Sequence, residues 1–152
     1  MRGSLYRSGF PRPRVTERPF GDRSVLITGC SSGIGLCVAQ GLALRGWRVF
    51  ATARHDADVA ALQVRGLESL QLDLADTESI KRALDEVLAR TGGTLAALFN
   101  NAAYGQPGAV EDLTRAAMRE QFETNVFGTM ELTNRVIAVM RAQGHGRIVQ
   151  NS

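Results

Sequence analysis

Apolar residues along this chain fall into two alternating kinds of run. From Ser24 onward, stretches that are apolar at consecutive positions are followed by stretches in which apolar residues recur every three or four positions. A strand buried on both faces is continuously apolar, whereas a helix with one buried stripe repeats near 3.6 residues. The alternation predicts stacked βαβ units and a parallel sheet. "SVLITG" reads as the first strand, "RVFATAR" as the second and "LESLQLDL" as the third, with Leu70 and Leu72 on one face. "LAALFNNAA" is the fourth and "GHGRIVQN" turns into the fifth. Between the first two strands, Gly33 to Arg45 carries Ile34, Val38 and Leu42 at steps of four, and Gly46 stands where a left-handed cap belongs. Asp76 caps a helix bearing Ile80, Leu84, Val87 and Leu88, closed by "TGG". After a loop through Gly105, Pro107 and Gly108, a long helix from about Thr114 to Arg141 sets Met118, Phe122, Val126, Met130, Ile137 and Met140 near one face. That Met-rich stripe is expected to pack in the core.

The length of 152 residues and a hydrophobic content of 44% fit one soluble domain, and no repeat or interdomain linker interrupts the pattern. No apolar run approaches the roughly 18 residues that span a bilayer, and the start lacks the apolar core of a secretory signal. A cytoplasmic location, with no membrane partner, is expected. The net charge of +3 suggests nucleic acid until it is located. Residues 1–23 hold six arginines against Glu17 and Asp22, and the remainder sums to −1. The folded part therefore offers no basic face to a phosphate backbone. Residues 1–23, with three of the four prolines, read as a flexible basic leader. Cys30 and Cys37 have no partners at ligand spacing, so neither a metal site nor a disulfide framework is expected.

The stretch "TGCSSGIG" lies between the first strand and the first helix. A helix start offers unpaired N–H groups and a partial positive charge, so it binds phosphate without a lysine, provided the backbone can come close. A Cβ at Gly29 or Gly33 would block that approach or forbid the turn, and Gly35 would let the helix pack on the strands. The spacing G-x-x-x-G-x-G differs from the G-x-G-x-x-G fingerprint and lacks a P-loop lysine, so a ligand-free turn is the alternative. Arg54 ends the second strand, where a positive residue accommodates a ribose 2′-phosphate and an acidic one holds a 2′-hydroxyl. A solvated arginine is the competing reading.

Four motifs in order resemble the short-chain dehydrogenase/reductase family over Ser24 to Ser152. "TGCSSGIG" is similar to its TGxxxGIG cofactor loop, "LDL" around Asp73 to its adenine-contacting segment, and "NNAA" to its NNAG motif. Asn125 in "FETNVFG" matches the helix asparagine of its Asn-Ser-Tyr-Lys tetrad. The resemblance implies a doubly wound, Rossmann-like α/β sheet of order 3-2-1-4-5, incomplete at its C-terminal side, with residues 24–152 as a dinucleotide-binding domain. It implies NADP(H) held by Thr28, Gly29, Ser31, Ser32, Gly33, Ile34, Gly35, Arg54, Asp73, Leu74, Asn100 and Ala102, with Asn125 as a catalytic residue. The implied reaction is hydride transfer between nicotinamide and a small-molecule carbonyl or secondary alcohol, in a parent protein that is a homo-oligomer. "NNAAYG" and "GRIVQNS" are most similar to the branch with hydroxysteroid and retinol dehydrogenases and bacterial aldehyde reductases.

Two departures stand out. Ala103 replaces the last glycine of NNAG, which requires negative φ there. More severely, family chemistry uses Tyr-x-x-x-Lys, yet the tyrosines here are Tyr6 and Tyr104 and the only lysine is Lys81. Ser152 aligns with the serine before the catalytic one, so it is not assigned, and the chain is expected to stop one residue short. The alternative is a nucleotide-binding module without catalysis. A third reading, an anionic-surface binder, rests on residues 1–23 alone. His55 and His145 fall in predicted surface turns and are read as solvated.

Overall fold

The computed structural model describes residues 23–151. Five parallel strands form one sheet in the order β3-β2-β1-β4-β5. The strands are β1 (Ser24–Ile27), β2 (Arg48–Ala53), β3 (Glu68–Gln71), β4 (Ala97–Asn100) and β5 (Arg147–Gln150). The helices are α1 (Gly33–Ala43), α2 (Asp56–Val64), α3 (Thr77–Thr91), α4 (Arg115–Phe122) and α5 (Thr129–Gln143). The doubly wound order expected from the motifs is the order observed.

Strand alternation sends side chains into two cores. Leu26, Phe50 and Leu98 meet Ile80, Leu84 and Val87 of α3 and Leu132 and Val136 of α5 on one face. Val25, Ile27, Val49 and Ala51 meet Ala39 of α1 and Leu62 of α2 on the other. Continuously apolar strands are what two covered faces require. Local signals behave as expected at α3, where the Asp76 carboxylate accepts from Glu78 N at 2.9 Å and Gly92 ends the helix at φ +69°. Gly46, at φ +79°, closes the turn after α1.

Three expectations change. The segment between β2 and β3 contains α2, a helix that the brief apolar pattern of Val59 and Leu62 does not predict. On α1 Val38 and Leu42 pack partly buried against the core as expected, but the fully buried positions are Gly35 and Ala39, and Ile34 is 59% exposed. The long helix is interrupted by a wider π turn over Glu123–Gly128, and its buried side chains beyond that turn are Thr129, Leu132, Val136 and Met140. Met118, Phe122 and Met130 are exposed, so most of the Met-rich stripe is not core. The helix is oriented instead by Gly128, where a Cβ would collide with the Leu74 carbonyl. A hydrophobicity count gives no weight to a glycine that permits close approach. The reading of residues 1–23 as a leader falls, apart from Arg23, outside the described residues; Arg23 O accepts from Arg48 N at 3.0 Å and extends the sheet. Among the described residues no helix is long and apolar enough to cross a membrane.

Candidate nucleotide site

The loop after β1 is built on the carboxyl edge of the sheet, beside the ends of β2 and β4. Thr28 is fully buried and its hydroxyl accepts from Asn101 N and Ala102 N, each at 2.9 Å. Gly29 turns at φ +71°, and a Cβ there would lie 2.8 Å from Ala102 Cα. Gly33 starts α1 at φ +60° with nothing within 4 Å of its would-be Cβ, so that side of the loop is open. At Gly35 a Cβ would collide with the Gly29 carbonyl and come within 2.6 Å of Asn101 Nδ2. Gly35 thus packs α1 onto the loop and the tip of β4, not onto the strands as expected.

The start of α1 is electrostatically bare. Ser32 makes no side-chain cap and the first turn has no acidic residue, whereas α3 has both a capping Asp76 and Glu78. Backbone N–H groups there remain available to an anion, and nothing neutralises the positive end of the helix.

An open cleft of about 960 Å³ lies along this edge. Of the expected cofactor residues, Gly29, Ser31, Ser32, Arg54, Asp73, Leu74 and Ala102 line it. Thr28, Gly33, Ile34, Gly35 and Asn100 are not part of its wall. Arg54 is exposed; its Nε donates to His55 Nε2 at 3.2 Å, and among the described residues it makes no ion pair. Its charge is therefore free for a ligand. Asp73 accepts from Ala75 N at 2.9 Å through Oδ1 and donates through its backbone N to Ser79 Oγ at 3.0 Å, which fixes the loop after β3.

Asn100 is buried and structural in its contacts: Nδ2 donates to Thr133 Oγ1 at 2.9 Å and to Gln150 Oε1 at 3.0 Å, tying β4 to α5 and β5. Asn125 sits in the π turn. Its Nδ2 donates to Tyr104 O at 2.8 Å and its Oδ1 accepts from Tyr104 N at 3.1 Å. Both ends of the amide hold the loop after β4, and Asn125 lines a smaller hollow of about 280 Å³ rather than the main cleft. The structure therefore separates Asn125 from the start of α1 but links it to Tyr104 on the cleft wall. Ala103 keeps negative φ, since no described residue other than glycine has positive φ.

Sequence reasoning missed Asn101, whose amide bonds the glycine loop directly, because its partners are 72 and 73 positions away. It also missed His55 and Asp58 on the cleft wall. Cys30 lies in the loop, but burial pushes its thiol up to about 12, which keeps it protonated and unreactive near neutral pH. Among the described residues no cluster of His, Cys, Asp and Glu is fit to hold a metal.

Residues 23–152 match the family model described as short chain dehydrogenase. The uncharacterized oxidoreductase YbbO of Escherichia coli K12 is 45% identical over 130 residues, covering 86% of this chain and 48% of that protein. Retinol dehydrogenase 8 of Bos taurus is 38% identical over 137 residues, covering 84% and 43%. Among solved structures, an actinorhodin polyketide ketoreductase with NADPH superposes with a TM-score of 0.78 at 31% identity, covering 86% of this chain and 52% of that one. The chain spans about half the length of these relatives.

Proposed function

The chain belongs to the short-chain dehydrogenase family, an oxidoreductase family, and from that premise we propose that residues 24–152 bind NADP(H) for hydride transfer to or from a carbonyl or secondary alcohol. The observation that carries this reading is a bare helix start and an unpaired arginine facing one cleft. The residues suit the group: open space at Gly33 and the uncapped start of α1 suit the pyrophosphate, and Arg54 suits a 2′-phosphate. Asp73 and Leu74 border the adenine end, and Ala102 borders the middle of the cleft. A bound nicotinamide supplies or accepts the hydride.

The chain's own residues bind and orient. Gly29 and Gly35 let backbone meet backbone, so the loop holds its shape before any ligand arrives. Thr28 and Asn100 act from within the sheet, and Asn125 acts by holding Tyr104 in place. Ser31, Ser32 and Ile34 lie in the loop and first turn, beside the phosphate position. Proton transfer to the substrate oxygen calls for Tyr-x-x-x-Lys, which these 152 residues do not contain, so they bind cofactor without turnover by themselves. The whole protein acts in the cytoplasm as a homo-oligomer, without nucleic acid. Its substrate is an aldehyde, a ketone or a larger steroid- or retinoid-like carbonyl. The resemblance to retinol dehydrogenase 8 supports that class.

A second reading, a nucleotide-binding module without catalysis, is favoured by the same missing pair. Fluorescence titration with NADPH and NADH tests binding, and NADPH oxidation against aromatic aldehydes and simple ketones tests turnover. NADPH binding without turnover is the expected result. Absence of binding overturns the reading, and turnover by these 152 residues overturns the placement of the chemistry.

A further inference from the structure

The carboxyl ends of β1, β4 and β5 are joined by a run of side-chain amides. Asn101 Nδ2 donates to Thr28 O and to Gly29 O, both at 3.0 Å. Asn101 Oδ1 accepts from Asn151 Nδ2 at 2.9 Å. Asn151 is itself fixed, because its backbone N donates to Asn100 O at 2.9 Å and continues the β4–β5 ladder past Gln150.

This arrangement determines how the glycine loop begins. A peptide unit is planar, so holding the Gly29 carbonyl orients the N–H of Cys30. That N–H donates to Thr52 O at 2.8 Å, so one peptide is gripped by β4 through Asn101 and by β2 through Thr52. The amide of Asn101 has two orientations of nearly equal shape. Only one presents its NH2 to the two loop carbonyls; the other turns oxygen against oxygen. Asn151 donates to the oxygen of that orientation and so reinforces it, fixing the amide from its far side.

We propose that Asn151 is a positioning residue for the nucleotide: through Asn101 it holds the loop from Gly29 to Gly33 in its phosphate-binding shape without touching ligand. The proposal rests on the reading of that loop as the pyrophosphate site. Leucine in place of Asn151 keeps the bulk and removes the donor. Aspartate sets an acceptor against Asn101 Oδ1, and glutamine keeps the donor on a longer arm.

The test is titration of NADPH and of 2′-AMP into the unaltered protein, Asn151→Leu, Asn151→Asp and Asn151→Gln. Melting curves choose a temperature at which each is folded. NADPH affinity is expected to fall about three- to tenfold in Asn151→Leu, as loss of one neutral hydrogen bond implies, further in Asn151→Asp, and to recover in Asn151→Gln. Affinity for 2′-AMP, which reaches Arg54 but has no pyrophosphate, is expected to stay constant. Equal NADPH affinity in the unaltered protein and Asn151→Leu overturns the proposal, as does an equal loss for both ligands. If the unaltered protein binds neither, the reading of the loop fails and the proposal with it.

Discussion

β2 and β5 flank the pair β1–β4, β2 against β1 and β5 against β4, but β5 is an edge of the described sheet and β2 is not, and their fates differ. Every residue of β2 after Arg48 is buried, while all four residues of β5 are exposed, Ile148 and Val149 among them. β2 has β3 beyond it and apolar side chains packed on both faces; among the described residues β5 pairs with β4 alone. Burial is decided by what lies on each side of a strand, not by its own apolar content. The same contrast divides the candidate site residues. The bare helix start and Arg54 belong to the covered flank, and Asn125 with its small hollow belongs to the uncovered one.

The largest expected effect tests the boundary between the flanks on α5. Leu132→Ala removes a fully buried side chain and should cost about 2–5 kcal/mol, whereas Met130→Ala, two positions away on the exposed face, should stay within about 0.5 kcal/mol. Urea denaturation of both measures the difference. Similar losses would mean that the helix is turned otherwise than described.

On the covered flank, Arg54→Asp should reverse a preference for NADPH over NADH. Charge-assisted bonds of about 1.5–3 kcal/mol correspond to a preference of roughly 10- to 150-fold. Titration with both nucleotides decides it, and an unchanged ratio would remove Arg54 from the site.

A smaller stability change is expected for Gly33→Val. The left-handed φ of +60° costs a branched residue about 1–2 kcal/mol. No protein atom lies within 4 Å of the new Cβ, so the fold should survive. NADPH binding should be lost, because the added bulk enters the space in front of the helix start. Circular dichroism beside a binding titration separates the two effects.

The smallest concerns the tie between β2 and β3. Arg48 Nε and Nη2 donate to the two Glu68 carboxylate oxygens at 2.6 and 3.0 Å, and the hydrogen bond from this guanidinium holds the Glu68 carboxyl below its usual range. A lowered folded value stabilises the protein above the ordinary glutamate value, about 4.3, and that contribution is lost as pH falls through the folded value. The pair is partly exposed, so Glu68→Gln should cost only about 0.5–1 kcal/mol at neutral pH, less in high salt. The difference from the parent should vanish in acid. A difference that persisted there would assign the effect to packing.

Much of this was legible because the signals are local. Asp76 two positions before Glu78, Gly92 after α3 and Gly46 after α1 each act on backbone within one turn of themselves. Chain order and the right-handed crossover preference then limit how five parallel strands can be arranged. The short helix α2 was hidden by its few apolar positions, and the buried side of α5 was hidden by Gly128, whose role is to have no side chain.

What the sequence by itself determined is therefore the five strands and most of the helices from periodicity, most of their ends, and the glycine loop between β1 and α1. Tertiary structure alone decided which residues stand together around that loop. Asn101 meets Gly29 across 72 positions, Asn151 meets Asn101 across 50, and Asn125 spends both ends of its amide on Tyr104. The physical reason lies in range. Helix periods and caps depend on neighbours within a turn, whereas a side-chain hydrogen bond between strand ends depends on sheet order and register, which bring distant parts of the chain within 3 Å.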